Sequence, residues 1–368
     1  MNEIANVKGW YVKAMIKIGV WLPVYGSWLR SMGQAVKPDA QACLETAKEA
    51  ERLGCDFVYA SENLLNCIHG AEETVLDAWT LLSAIASNTT NISLVGAVKP
   101  GFRSPLLMAR MIDTISTFGS RVVGLNVVCG WWQQEFVNSG VDWLDHDRRY
   151  DRAETFLSEF KDLFKPQLTE KNPSENNSRF VDVNVGLSEP NFPEIWISGH
   201  SERAKTLTAK FGKYLFLNGM SDNQLLSHIN RCQKISKLWN KEIDVIVNGH
   251  VIATKSNKTA RQRLKNIFGN ADREKIALFR KIMEASGGAG WSGLTDEQMV
   301  DSNSGFEAGL VGSFSDVKWR LIEMSNLGIS AIACQFDSPL EELEPFMREV
   351  VEPARSIITS NNSQRASL

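Results

Sequence analysis

Four places in the chain put polar or flexible residues where burial or a helix start would give them chemistry. The first is Gly124-Leu125-Asn126-Val127-Val128-Cys129-Gly130-Trp131-Trp132, where an amide interrupts an apolar run and a Gly-Trp pair closes it. A buried amide must find hydrogen-bond partners. Asn126 is therefore either tied to a neighbouring loop or presented to a binding site. Cys129, in the same run, reads as a small buried apolar residue more readily than as a nucleophile. The second place is VDWLDHDRRYDRAETF at 141–156, which clusters Asp145, His146, Asp147, Arg148, Arg149 and Tyr150 ahead of a helix. One of the aspartates serves as an N-cap on the plainer reading. On the sharper one, Arg149 and Tyr150 have the donors to hold an anionic group.

The third place is Ser198-Gly199-His200-Ser201-Glu202-Arg203-Ala204. A Gly-Ser turn opening a helix offers free backbone N–H groups and the positive end of the helix dipole, a natural phosphate cradle. Ser201 is equally an ordinary N-cap, and Gly312-Ser313 offers a second such turn further on. The fourth is Asn248-Gly249-His250, whose histidine sits in an apolar run and is the best candidate for a general acid or base. No catalytic triad, paired-carboxylate, Walker or metal-ligand motif stands beside these, so hydrolase, phosphotransferase and metal readings are disfavoured. The six cysteines are scattered singly and read as reduced thiols of a cytoplasmic protein.

Positioning these groups requires a regular frame. Apolar runs predict eight strands, at 15–22, 56–60, 92–98, 122–128, 194–198, 214–218, 243–253 and 330–335. Amphipathic helices are predicted between them at 39–53, 75–87, 105–117, 149–164, 201–211, 222–239, 257–268, 314–327 and 339–357. Strict alternation implies a parallel sheet with helical crossovers. A closed (β/α)8 TIM barrel is favoured over an open doubly wound sheet, because eight units occur and no glycine-rich dinucleotide fingerprint follows the first strand. In such a barrel the ends of strands four, five and seven form one catalytic mouth. Two stretches break the rhythm, 165–192 and 269–305. They are expected to be insertion loops of a single 1–368 domain, the latter a candidate lid.

Composition narrows the function. With 43% hydrophobic and 23% charged residues, a net charge of -3 and no basic cluster, the chain carries no electrostatic footprint for nucleic acid or anionic lipid. Nor does any apolar run approach the roughly 18 residues that span a bilayer. A small molecule is the expected partner.

At these residues the sequence resembles the bacterial luciferase-like flavin monooxygenases, near the two-component dimethylsulfone, alkanesulfonate and pyrimidine monooxygenases. The likeness rests on KIGVWLP at 17–23, LDAWTLLSAIAS at 76–87, AVKPGFRSPLLMARMIDTIS at 97–116, GLNVVCGWWQQEF at 124–136, WLDHDRRYDRAETF at 143–156, PEIWISGHSERA at 193–204 and GLVGSFSDV at 309–317. It implies an enzyme that takes reduced FMN from a separate NAD(P)H:FMN reductase and uses dioxygen to oxygenate a small substrate, as a homodimer or homotetramer. It also implies that the flavin ring lies over Asn126 and the strand-one end Trp21, Leu22 and Pro23, beside Gly130-Trp131. Tyr150 and Ser201 then hold the phosphate with the Gly199 and His200 backbone. His250 and Asn126 are the implied catalytic residues, and Trp131, Trp291 and Phe336 the aromatics that exclude water.

Departures from the alkanesulfonate pattern carry information too. Asn248 stands where those enzymes have an arginine, SNSGF at 302–306 replaces an arginine-bearing loop, Val75 replaces a cysteine and Phe336 a tyrosine. A buried oxyanion wants a paired cation. Losing two arginines therefore points away from a sulfonate and toward an uncharged organosulfur compound such as a sulfone, with a pyrimidine or amide as runner-up. An F420-dependent oxidoreductase of the same fold and a noncatalytic flavin-binding relative are the remaining readings.

Overall fold

The computed structural model describes residues 15–32, 37–164, 186–187, 191–286, 293–301 and 303–366. Most of the predicted insertion 165–192 lies outside them. The strands are β1 (Lys17–Trp21), β2 (Phe57–Ala60), β3 (Ser93–Val98), β4 (Val123–Val128), β5 (Glu194–Ser198), β6 (Tyr214–Leu217), β7 (Asp244–His250), β8 (Ile252–Thr254), β9 (Val311–Ser313) and β10 (Ile329–Gln335). Eight of them close into a barrel in the order β1-β10-β7-β6-β5-β4-β3-β2. All neighbours in it are parallel, as right-handed βα crossovers require. The (β/α)8 barrel expected from the sequence is thus observed.

The helices are α1 (Ala40–Arg52), α2 (Ala78–Ala86), α3 (Pro105–Ser116), α4 (Gln133–Asn138), α5 (His146–Asp162), α6 (Glu202–Phe211), α7 (Asp222–Trp239), α8 (Asn257–Gly269), α9 (Arg273–Ser286), α10 (Phe314–Leu327), α11 (Pro339–Phe346) and α12 (Glu352–Ala366). Many begin where a short oxygen side chain takes up an orphan backbone N–H, as Asp39, Asp77, Ser104, Asp145, Ser201, Ser256 and Ser313 do.

Three expectations change. Asp145 is the cap of α5, so this helix starts at His146 rather than 149 and carries His146, Arg149 and Tyr150 in its first turn. The predicted strand 243–253 is two strands: β7 ends at His250, and β8 turns away to pair in parallel with β9 outside the barrel. The predicted loop 269–305 contains α9, whose apolar face is hidden in the sequence between glycine- and asparagine-rich flanks.

Strand side chains alternate between the barrel axis and the helix ring. Gly19, Phe57, Val95, Gly124, Trp196 and Tyr214 take the lower positions on the axis. Two residues further along, Trp21, Tyr59, Ala97, Asn126, Ser198 and Phe216 make the upper layer. The rings interlock across strands. Phe57 meets Trp196 at 5.2 Å between centroids, Trp196 meets Tyr214 at 5.4 Å, Tyr59 meets Phe216 at 5.4 Å and Trp21 meets Tyr59 at 4.8 Å, mostly edge to face. Gly19 is the complement of this column, because a Cβ there would overlap the Phe57 ring. Gly19→Ala is therefore expected to cost about 1–3 kcal/mol of stability through overpacking, read as a lower urea midpoint with an unchanged slope. An unshifted midpoint would mean that the ring turns aside freely.

Candidate functional site

Above the aromatic column, the carboxyl ends of β1 to β6 surround a cleft enclosing about 1130 Å³, open mouth included. Trp21, Tyr59 and Phe216 form its floor. Asn126, in the same layer as these rings, is fully buried, with Nδ2 donating to the Tyr59 hydroxyl at 2.8 Å and Oδ1 accepting from Ser198 Oγ at 2.9 Å. Its amide thus fixes two cavity-lining hydroxyls and does not itself line the cleft.

One side of the cleft is built by β5, β6 and the first turns of α5 and α6. Ser201 caps α6, its Oγ accepting from Ala204 N at 3.1 Å, and it is hydrogen-bonded to the Tyr150 hydroxyl. Gly199 has φ of +145°, and a Cβ on it would stand 2.7 Å from that hydroxyl, so only glycine lets the turn approach Tyr150. Burial pushes the Tyr150 phenol well up, which keeps it an O–H donor. Burial also pushes the Cys129 thiol up to about 12, although Arg149, Arg152 and Arg203 act on it in the opposite sense. Cys129 is accordingly a neutral thiol. Arg152 donates to Asp142 O at 2.9 Å, but its Nε and Nη2 are buried without partners, and the nearby Arg149 lowers its pKa further than burial alone. Of these guanidinium groups Arg149 lines the cleft, whereas Arg203 is paired with Asp151.

Asn218 also borders this side, with Nδ2 buried and without a hydrogen-bond partner, while its backbone N–H donates to His200 Nε2 at 3.3 Å. The orphaned Asn218 amide, the Arg149 guanidinium and a turn that only glycine allows suit a phosphate-bearing ligand. FMN, the cofactor the sequence implied, fits that donor set.

The opposite side comes from the loops after β1, β2 and β3, with Tyr25, Ser61, Asn63, Cys67 and Lys99. Lys99 and Glu135 form an ion pair whose side chains are 1% and 0% exposed. Phe279 of α9 and Asn303 close over the cleft, Phe279 standing 6.1 Å from Trp131. Phe279 and Asn303 are thus what the described part of the 269–305 segment contributes to the cleft lining.

Of the residues singled out in the sequence, Trp21, Gly130, Trp131, Tyr150, Gly199, His200 and Ser201 line the cleft together. Leu22 and Pro23 do not: Leu22 is fully buried and donates its N–H to Tyr59 O, and Pro23 opens the turn beyond β1. His250 does not line it either. It is 0% exposed, packs 4.4 Å from the Phe306 ring and shares a 3.0 Å hydrogen bond between Nε2 and Asp337 Oδ1. Burial would raise the Asp337 carboxyl, but the bonds from His250 and Arg263 outweigh it and hold it below the usual carboxylate range. Phe336 is buried against Phe346 at 5.5 Å, away from the cleft. Gly312-Ser313 has no free anion end, since Ser313 N donates to Asn257 Oδ1 and its hydroxyl to Asp316. Trp291 lies outside the described residues. What the sequence reading missed is the Lys99–Glu135–Asn63 group; its signal was a lysine two residues beyond Ala97, on the same face of a strand.

The sequence profile of the family described as Luciferase-like monooxygenase matches residues 16–331. Over 355 residues the chain is 28% identical to the FMNH(2)-dependent dimethylsulfone monooxygenase of Pseudomonas putida, covering 93% of this chain and 96% of that one. It is 26% identical over 349 residues to the pyrimidine monooxygenase RutA of Rhizobium rhizogenes, covering 90% and 94%. Among solved structures, long-chain alkane monooxygenase (LadA) superposes with a TM-score of 0.77 at 18% identity, covering 94% of this chain and 92% of that one. DmoA from Hyphomicrobium sulfonivorans gives 0.73 at 16%, covering 94% and 88%. At those identities the structural likeness concerns the fold.

His200 supplies a pH test. Burial first, then the neighbouring His228 and Lys205, lower its pKa from 6.5 to about 4. A group depressed by folding contributes stability above its unfolded pKa and loses it as pH falls toward the folded value. Stability is therefore expected to drop between pH 6.5 and 4, and His200→Gln to flatten that part of the curve in urea melts run across this range. An equally steep decline in the variant would assign the acid loss elsewhere.

Proposed function

From the premise that this chain belongs to the luciferase-like monooxygenase family and is an FMNH2-dependent monooxygenase, we propose that the cleft described above is its flavin and substrate site. On this reading the FMN phosphate is held by the Tyr150 hydroxyl, Ser201 and the N-terminus of α6, with Arg149 behind them, and the ring lies over Trp21 and Tyr59. The meeting of Gly199, Ser201 and Tyr150 at the start of α6, with Arg149 lining the same cleft, is the observation that carries it. Reduced flavin, when bound, supplies the electrons that activate dioxygen, and a separate NAD(P)H:FMN reductase is its expected source.

The chain's own residues then orient and dry the site. Asn126 fixes the Tyr59 and Ser198 hydroxyls, leaving the Tyr59 O–H to donate and the Ser198 oxygen to accept in set directions. Trp131 and Phe279 cover the mouth and exclude water. His250 becomes a positioning residue that pins the end of β7 to the loop after β10. We assign a small organosulfur compound of the sulfone type as the substrate, supported by the likeness to the Pseudomonas putida enzyme and by the absent arginines at 248 and 302–306. The likeness to RutA supports a pyrimidine or amide as the second reading.

The assay combines the protein with a flavin reductase, NADH, FMN and dimethylsulfone under air, with uracil in a parallel arm. Substrate-dependent product is expected in one arm; tight binding of F420 without oxygen consumption would instead mark a deazaflavin enzyme. A sharper test of the phosphate end compares FMN with riboflavin. Tyr150→Phe and Arg149→Ala each remove a donor at the phosphate end, in a setting where hydrogen bonds to charge are worth about 1.5–3 kcal/mol. FMN affinity should fall about tenfold or more in fluorescence titrations while riboflavin affinity stays level. Equal losses for both flavins would move the phosphate elsewhere.

A further inference from the structure

The group that the proposed function leaves unused is the buried lysine on the far side of the cleft. Lys99 stands just past the end of β3, borders the cavity and is 1% exposed. Its ammonium donates to Asn63 Oδ1 and to Glu135 Oε2. Neither partner is free to swing. Glu135 Oε1 accepts from Leu64 N at 2.6 Å, and Asn63 Nδ2 donates to the Tyr25 hydroxyl at 2.8 Å. The Lys99 backbone is fixed as well, its N–H donating to Glu62 Oε2 at 2.6 Å. An ammonium has three donors, and two have protein partners. The Trp131 ring flanks the group at 5.7 Å.

The charge around it is already matched. Lys99 pairs with Glu135, and Arg103 pairs with Glu62 and Asp77. Arg30, stacked 3.6 Å from the Phe279 ring, spends donors on the Met299 and Cys67 carbonyls and faces Asp301. Cys67 and Tyr25 stay neutral because burial raises both. No excess positive charge is left here for an anion, and a buried anion without its own cation is costly. The remaining N–H suits an uncharged oxygen acceptor.

We propose that the Lys99 ammonium, clamped by Asn63 and Glu135, is the substrate anchor: it donates its third hydrogen bond to a sulfonyl or carbonyl oxygen of an uncharged substrate and selects against anions. The inference rests on the reading of the same cleft as the flavin site and names the substrate class that its opposite end accepts. Glu135 and Asn63 act through Lys99 as positioning residues. They hold the cation rigid, so that little side-chain entropy is lost when the acceptor binds.

The experiment uses the full chain loaded anaerobically with reduced FMN and measures dissociation constants by ligand-observed NMR for four probes. Dimethylsulfone and uracil are uncharged oxygen acceptors, dimethyl sulfide lacks the oxygen, and methanesulfonate carries a charge. At least one of the two acceptors should bind about tenfold or more tightly than dimethyl sulfide and methanesulfonate, the size of one charge-assisted hydrogen bond. The double variant Lys99→Met/Glu135→Gln, which strands no buried charge, should erase that preference while FMN affinity stays within about twofold. Preference for methanesulfonate, equal binding of sulfide and acceptors, or a double variant that keeps the preference would each overturn the assignment. Should the variant fail to fold, the wild-type ratios alone decide. A wild-type protein that binds no FMN would sink the reading of the cleft itself, an outcome seen in the control titration before any substrate is added.

Discussion

A closed barrel must fill its own axis, and in this chain aromatic rings do it. Where many barrels stack branched aliphatic residues, β1, β2, β5 and β6 send Trp21, Phe57, Tyr59, Trp196, Tyr214 and Phe216 inward, and Gly19, Val95, Ala97 and Gly124 leave room for them. Rings from facing strands meet across the axis, as Tyr59 and Phe216 do, and the small residues beside them fix where each ring lies. The upper rings of that column are also the floor of the cleft. Core and site are therefore one packing problem, and a change in the lower layer is felt two residues higher.

On this rigid floor the cleft carries two electrostatic environments. Toward β5 and β6, the Arg149 guanidinium, the Asn218 amide and a helix start offer donors that suit a dianionic phosphate. Toward β2 and β3, each cation has a carboxylate, and the remaining polar groups are neutral hydroxyl, amide and thiol. The asymmetry orients whatever binds. A ligand with a charged tail and a flat aromatic head has one favourable direction, and what shares the cleft with it meets the balanced end.

The barrel was legible in the sequence because doubly buried strands leave apolar runs of barrel length, bounded by helices with clear caps. Tyr150, Ser201 and Gly199 were legible because a helix start needs few residues to announce itself. His250 was misplaced for a physical reason: a histidine in an apolar run looks the same whether it faces a mouth or pairs with an aspartate near the surface, and Asp337 lies 87 residues away. Lys99, Asn63 and Glu135 are each ordinary in their local context. Only closure of the sheet brings the three together, since they come from the ends of different βα units. Helix α9 was hidden because polar, glycine-rich flanks on both sides diluted its period.

The departure of β8 from the barrel has an architectural meaning. By pairing with β9, it sews together the two roots of the excursion that carries α8, α9 and the segment over the mouth. The barrel's hydrogen-bond ladder passes from β7 to β10 without that seam, and the excursion is tied down again further along, by the Leu29–Asp301 and Ser31–Ala271 bridges to the loop after β1. The roof is thus stitched to the rim of the wall without joining its ladder, so its residues can change while the strands beneath keep their register.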